Sequence, residues 1–124
     1  MAQNGRFALS LRVLAHLAAS PASMHTSAEI ATALKTSPVM VRRIFPALHT
    51  AGFIVQRKGP QGGAQLDATP KSIGFGDVFA ATGGEWPTTG EKAADMFLAR
   101  ARTDAIAAMN ETTIAALIKK KKKS

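Results

Sequence analysis

Residues 37–63 read SPVMVRRIFPALHTAGFIVQRKGPQGG, and this stretch decides the fold. Ser37 can accept from the free amides of a helix start, and Pro38 at the first helical position forfeits only an amide that has no partner there. Val41, Ile44, Phe45 and Leu48 follow at helical spacing as an inward stripe, and Gly52 stands where a left-handed residue closes a helix. Pro46 runs against propensity, since inside a helix it removes one bond and clashes with the preceding turn at a cost of roughly 3 kcal/mol. The apolar spacing continues through Leu48, so the expectation is a kink rather than a break. Phe53 to Lys58 is aromatic and β-branched at its start and polar at its end, and Gly59-Pro60-Gln61-Gly62-Gly63 is turn chemistry throughout. With Ala64 to Ala68 returning as the partner strand, the hairpin carries Arg57 and Lys58 at its tip and forms a wing.

Upstream, Thr26-Ser27-Ala28-Glu29 has the form of a capping box and starts a short helix through Leu34. The few residues from Leu34 to Ser37 make a tight turn, so the two helices have the outline of a helix-turn-helix. An earlier helix runs from about Gly5 to Ala19 on Phe7, Ala8, Leu11, Leu14, Ala15 and Ala18, and Ser20-Pro21 ends it. Downstream, Thr69-Pro70-Lys71 breaks the pattern and Phe75 to Thr82 reads as one or two helical turns. Gly83 to Gly90, with Trp86-Pro87, reads as a linker. Thr88 with Glu91 gives a second capping box for a long helix to about Asn110, and Thr113 to Ile118 gives a last short one. The long helix carries a narrow stripe of mostly small residues, Ala94, Phe97, Ala101, Ala105 and Ala108. Such a face suits a close helical neighbour, which assigns Phe97, Ala101, Ala105 and Ala108 to a dimer interface.

The fold class is therefore mainly α with a small β-hairpin wing: a winged helix-turn-helix over residues 1–83, linker and dimerisation helices over 84–118, and a basic tail over 119–124. A chain of 124 residues is one domain, or one domain with an appendage. It has no cysteine, which removes disulfides, thiolate zinc sites and cysteine-ligated clusters and suits the cytoplasm. No cofactor is expected. No stretch approaches the roughly 18 uninterrupted apolar residues of a membrane span, since Phe7 to Ala19 contains Arg12 and His16. Arg6 ahead of that run has the outline of a secretory signal, but the helical periodicity and internal charge read as a core helix.

The net charge of +8 is unevenly placed. Residues 1–71 carry eight Lys or Arg against Glu29 and Asp67, residues 72–118 carry three against six acids, and Lys119 to Lys123 add five more positive charges. A basic first half points to a polyanion-binding module joined to a segment with another task.

Taken from Ser27 to Asp77, the chain resembles the bacterial winged-helix family of the iron-sulfur cluster regulator, the nitric-oxide-sensing repressor and the cysteine-metabolism repressor, often called the Rrf-two family. The resemblance rests on Gly5-Arg6-Phe7-Ala8-Leu9, Glu29-Ile30-Ala31, Leu48-His49-Thr50-Ala51-Gly52-Phe53-Ile54, Arg57-Lys58-Gly59-Pro60-Gln61-Gly62-Gly63 with Leu66, and Ile73-Gly74-Phe75-Gly76-Asp77-Val78. It implies a dimeric regulator whose third helix enters the major groove and whose wing lies along the backbone or in the minor groove. Members commonly have an aromatic where this chain has Ala64 and a basic residue where it has Ala68. The three cluster-ligand cysteines are missing, so the chain looks like the cysteine-free branch, for which the resemblance implies no general effector.

Arg42 and Arg43 lie between buried positions of the third helix and must leave the core; Arg presents a planar fork that can bind guanine O6 and N7 in pairs, and Arg42 is assigned to base edges. Val39 and Met40 precede them on the same helix. Ser37 reads equally as a cap alone or as a cap that also meets phosphate. Thr26, Ser27 and Lys35 are phosphate-contact candidates from the second helix. Arg57, Lys58, Gly59 and Gln61 complete the DNA-binding set from the wing, where the glycines shape the turn. His16, His25 and His49 belong to different helices or turns and share no ligand spacing, so no metal site is expected. Trp86 reads as a partly buried anchor, with the lining of an effector pocket as the other reading. The lysine run reads as a disordered tail adding sequence-independent attraction to DNA.

The expected function is a sequence-specific transcription regulator, a repressor binding a pseudo-palindromic operator as a homodimer, with double-stranded DNA as partner and a small-molecule effector left open. A non-specific nucleic-acid or polyanion binder is the alternative. No nucleophile-base pair or phosphate loop is visible, and Gly59 to Gly63 lacks the following Gly-Lys-Ser or Gly-Lys-Thr of a P-loop, so no enzyme is expected.

Overall fold

Apolar residues at helical spacing turn one stripe inward from each of α1 (Asn4–Ala19), α2 (Ser27–Leu34) and α3 (Pro38–Thr50). Val13, Leu14 and Leu17 of α1, Ile30 of α2, and Val41, Ile44 and Leu48 of α3 are fully buried together. Each such side chain contributes about 1.5–3 kcal/mol, so shared burial rather than propensity holds these helices. The structure, a computed structural model, describes residues 4–59 and 62–123, the side chains of Asn4 and of residues 119–123 excepted. Gln61, expected in the wing turn, lies outside the described residues.

Both hydroxyl caps of the helix-turn-helix form, while the Glu29 carboxylate of the expected capping box turns to His25 Nδ1 at 3.5 Å instead of the Thr26 amide. Thr26 Oγ1 accepts from the Glu29 amide at 3.0 Å, and Ser37 Oγ accepts from the Met40 amide at 3.2 Å. α3 runs through Pro46 without interruption. It closes on Gly52, whose φ of +83° lets its amide reach the His49 carbonyl while the Phe53 amide reaches that of Leu48, both at 3.0 Å. α2 closes in the same way on Lys35, a non-glycine residue at φ +57°. Arg12 of α1 donates to the Leu34 carbonyl at that helix end, placing a cation on exposed acceptors.

The wing pairs β1 (Ile54–Arg57) with β2 (Gly63–Leu66) antiparallel, Ile54 opposite Leu66 and Arg57 opposite Gly63. β2 is shorter than the expected Ala64–Ala68, because Thr69 already caps a 3-10 turn at Pro70–Ser72. β2 also bonds back to the loop before α2: His25 and Ala64 exchange two backbone hydrogen bonds, each 2.9 Å. A Cβ on Gly63 would lie 2.1 Å from the His25 carbonyl oxygen, and its φ is +133°, so glycine alone permits this approach.

α4 (Phe75–Thr82), α5 (Lys92–Met109) and α6 (Ile114–Lys123) follow. The end of α5 is locked to the start of α4, where Asn110 Oδ1 accepts from the Asp77 amide at 2.9 Å and Asn110 Nδ2 donates to Asp77 Oδ1 at 3.2 Å. The capping of α5 differs from expectation. Its N-cap is Glu91, whose carboxylate accepts from the amides of Ala93 and Ala94 at 3.2 and 2.8 Å. Thr88 is displaced from that role because Gly90, at φ +83°, turns the chain between it and the helix. Asp95 instead collects the loop, accepting from the Thr89 amide at 2.7 Å and the Gly90 amide at 3.1 Å. These bonds favour the ionised carboxylate and hold Asp95 below its ordinary pKa, the Thr89 amide contributing most.

α5 leans on α4 and buries none of its residues fully. α6 returns to α1, with Ile114 fully buried and Leu117 and Ile118 packed on the core. Its backbone stays helical through Lys123, where the sequence alone reads a disordered tail. A docked first turn nucleates the helix and lysine propagates it well, which local composition did not show.

Candidate nucleic-acid interface

A cleft of about 360 Å³ opens between the helix-turn-helix and the wing, lined by Thr26 and Ser27 at the start of α2, Arg42, Phe45 and Pro46 of α3, Gln56 and Arg57 of β1, and Gly59, Gly62 and Gly63 of the turn. Three devices assemble it. The Thr26 cap fixes the start of α2, the α3 stripe forces Arg42 off the core, and the His25–Ala64 pairing sets the wing beside α2. Arg42 Nη1 donates to Ser27 Oγ at 3.1 Å, which ties the exposed face of α3 to the α2 N-terminus. A duplex phosphate here would meet a helix start and two guanidinium groups, the combination that anions seek.

The structure thus brings Thr26, Ser27, Arg42, Arg57 and Gly59 together. The other expected contacts stand around that group rather than in it. Ser37 is exposed at the α3 cap, Val39 remains 47% exposed on the first turn of α3, and Lys58 is exposed just after β1. Met40 is half-buried against the core, and Arg43 leaves α3 on the flank away from the wing. Gln56 was missed by sequence reasoning; it lines the same cleft as its neighbour Arg57 at the end of β1, whereas strand alternation would have put the two on opposite faces.

Among the described residues the only ion-pair contact is His25 Nδ1 to Glu29 Oε2 at 3.5 Å. The arginines of this surface therefore have no carboxylate of their own to satisfy them. The imidazole rings of His16 and His25, distant in sequence, meet at 5.1 Å, a contact the spacing of the histidines did not reveal. Trp86 is half-buried and its Nε1 donates to the Leu98 carbonyl at 2.7 Å, as an anchor of the linker to α5. It also meets Phe79 edge-on at 6.0 Å, and Phe79 meets Phe7 at 5.4 Å, so an aromatic row joins the linker to α4 and α1.

The model of a family described as Rrf2, iron-dependent transcriptional regulator, matches residues 3–120. The chain belongs to the Rrf2 family. Solved structures share the fold. CymR of B. subtilis, the global cysteine regulator, aligns at TM-score 0.72 and 21% identity over 93% of this chain and 94% of its own. IscR of T. potens aligns at TM-score 0.72 and 18% identity, covering 94% of this chain and 85% of its own. The oxidised form of S. aureus CymR aligns at TM-score 0.72 and 23% identity over 95% and 96%. Among curated proteins nothing matches the sequence significantly.

As an Rrf2 protein the chain is a winged-helix transcription regulator. The iron in the family's description does not fit its donor set. There is no cysteine, and among the described residues no three His, Asp or Glu side chains gather in a metal-binding array. No helix among the described residues is long and apolar enough to cross a membrane.

Proposed function

We propose that this Rrf2 protein is a sequence-specific DNA-binding repressor that acts in the cytoplasm as a homodimer on a pseudo-palindromic operator, without an iron-sulfur cluster. The observation that carries the reading is the convergence of Arg42, Arg57, Thr26 and Ser27 on one cleft between recognition helix and wing. Arg42 reads base edges, with Val39 beside it on the exposed start of α3. Thr26, Ser27, Ser37, Arg43, Arg57, Lys58 and the backbone at Gly59 position the protein on phosphates. Residues 1–83 form the reading module, 84–118 carry the linker and the helices that pair protomers and brace that module, and the lysine run adds non-specific attraction.

Support for pairing comes from α5. Phe97 is 73% and Met96 66% exposed, and Ala101 and Ala108 are exposed with Ala105 half-buried beside them. An apolar face of that kind on a single chain wants a neighbour. A titration of operator and random duplexes at two salt concentrations tests the function. The reading expects operator affinity at least about a thousandfold above random DNA at physiological salt. Equal affinities would make the protein a general polyanion binder.

A further inference from the structure

We propose that Arg6 and Arg43 form a second phosphate-binding edge, which grips the sugar-phosphate backbone on the side of the recognition helix opposite the wing. The proposal rests on the DNA-binding reading above and extends it to a residue of α1.

Arg6 is exposed on the first turns of α1 and borders two hollows. One, of about 360 Å³, is shared with Leu9, Met40, Arg43 and Ile44. The other, of about 510 Å³, is shared with Pro46, Ala47, Thr50, Ala51 and Ala81. Both have α3 as a wall, so Arg6 stands alongside that helix. Successive residues of an α-helix project about 100° apart. Arg42 accordingly turns to Ser27 and the wing cleft, and Arg43 turns to Arg6. The recognition helix is bracketed by one basic edge on each side.

A helix seated in the major groove, about 12 Å wide, runs between two sugar-phosphate backbones. The wing edge can reach only one of them. The second needs cations on the α1 side, and no carboxylate lines either hollow there. Among the described residues neither Arg6 nor Arg43 has an ion-pair partner. The side chains of Leu9 and Ile44 behind them are buried and apolar and offer the guanidinium forks no competing acceptor. Two such forks without a counter-ion are suited to phosphodiester oxygens, which they bind with paired hydrogen bonds.

The test measures the affinity of the full chain for a random-sequence duplex and for a duplex recovered by footprinting, between about 50 and 200 mM salt. Arg6→Ala and Arg43→Ala should each weaken both duplexes by the same factor, several-fold at the higher salt, and each should lower the slope of log affinity against log salt by about 0.9. Arg6→Lys should keep most of the slope, and Arg6→Glu should lose more than Arg6→Ala. Thermal melting should be unchanged, since among the described residues Arg6 bonds through its backbone carbonyl, which accepts from Ser10 Oγ, and not through its side chain. Should Arg6→Ala melt early, Arg6→Gln, which keeps the stem, carries the comparison. If Arg57→Ala lowers the slope and the Arg6 variants do not, the second edge is wrong and the DNA-binding reading stands. If the unmodified chain binds neither duplex, both fall.

Discussion

Arg42 shows how far a single residue can be read. Its place between Val41 and Ile44 forces its side chain out of the core, and the structure adds the hydrogen bond to Ser27 at 3.1 Å. Arg42→Ala is expected to weaken operator binding by about 1–3 kcal/mol and flatten base preference at one position in each half-site. An equal loss for random DNA would reduce Arg42 to a phosphate contact. Lys35, a phosphate-contact candidate of the sequence, also takes the left-handed closing position of α2, which the sequence did not announce. A side chain there costs roughly 1–2 kcal/mol relative to a relaxed backbone, so Lys35→Gly should raise the melting temperature, by an amount worth about 1 kcal/mol. A lower melting temperature would show that the lysine side chain holds the turn. Asp95 is half-buried in the first turn of α5 and its pKa is lowered by the Thr89 and Gly90 bonds. Its contribution is therefore complete above the unfolded value of 3.8 and is lost as pH falls below that through the lowered folded value. NMR titration should place its midpoint below 3.8, and Asp95→Asn should remove the feature.

At the scale of elements, what the sequence showed is what neighbouring residues decide among themselves. The Thr26 and Ser37 hydroxyl caps, the Gly52 closure and the α3 stripe are local and form as read, and only the Glu29 half of the capping box is drawn off, to His25. What stayed hidden depends on partners far along the chain. The pairing of His25 with Ala64 sets the wing, the hollow that Arg6 and Arg43 share needs α1 packed on α3, and the docking of α6 needs a core its own few apolar residues do not announce. The Thr88 box failed for another reason. Two hydroxyls and two carboxylates lie within a few residues, and the Gly90 turn chose among them. The α4–α5 junction tests the long-range part. A Cβ on Gly76 would fall 2.1 Å from the Ile106 carbonyl oxygen, a backbone atom that cannot swing aside. Gly76→Ala should destabilise the chain by on the order of 1–3 kcal/mol in denaturant unfolding, as overpacked sites do. An unchanged midpoint would mean that α5 is not held against α4.

For the whole molecule, the division of charge matches the proposed division of labour: a basic segment proposed to read DNA, and an acidic segment around α5 that leaves its apolar face uncovered. One recognition helix engages only a half-site, so affinity for an operator needs both protomers held about one helical turn of DNA apart. Ala101 sits on the exposed face of α5, four residues from both Phe97 and Ala105. Ala101→Glu would bury an unpaired charge in a close helix pair. It should sediment as a monomer and lose operator binding with the N-terminal module still folded. A variant that remains dimeric at micromolar concentration would move the interface elsewhere. Whether this chain selects particular DNA sequences as a dimer is tested by genomic footprinting of the purified protein. Discrete protected sites should appear, sharing a pseudo-palindrome with half-sites about 10 base pairs apart. Protection spread evenly over the genome, with no common motif, would contradict such selection.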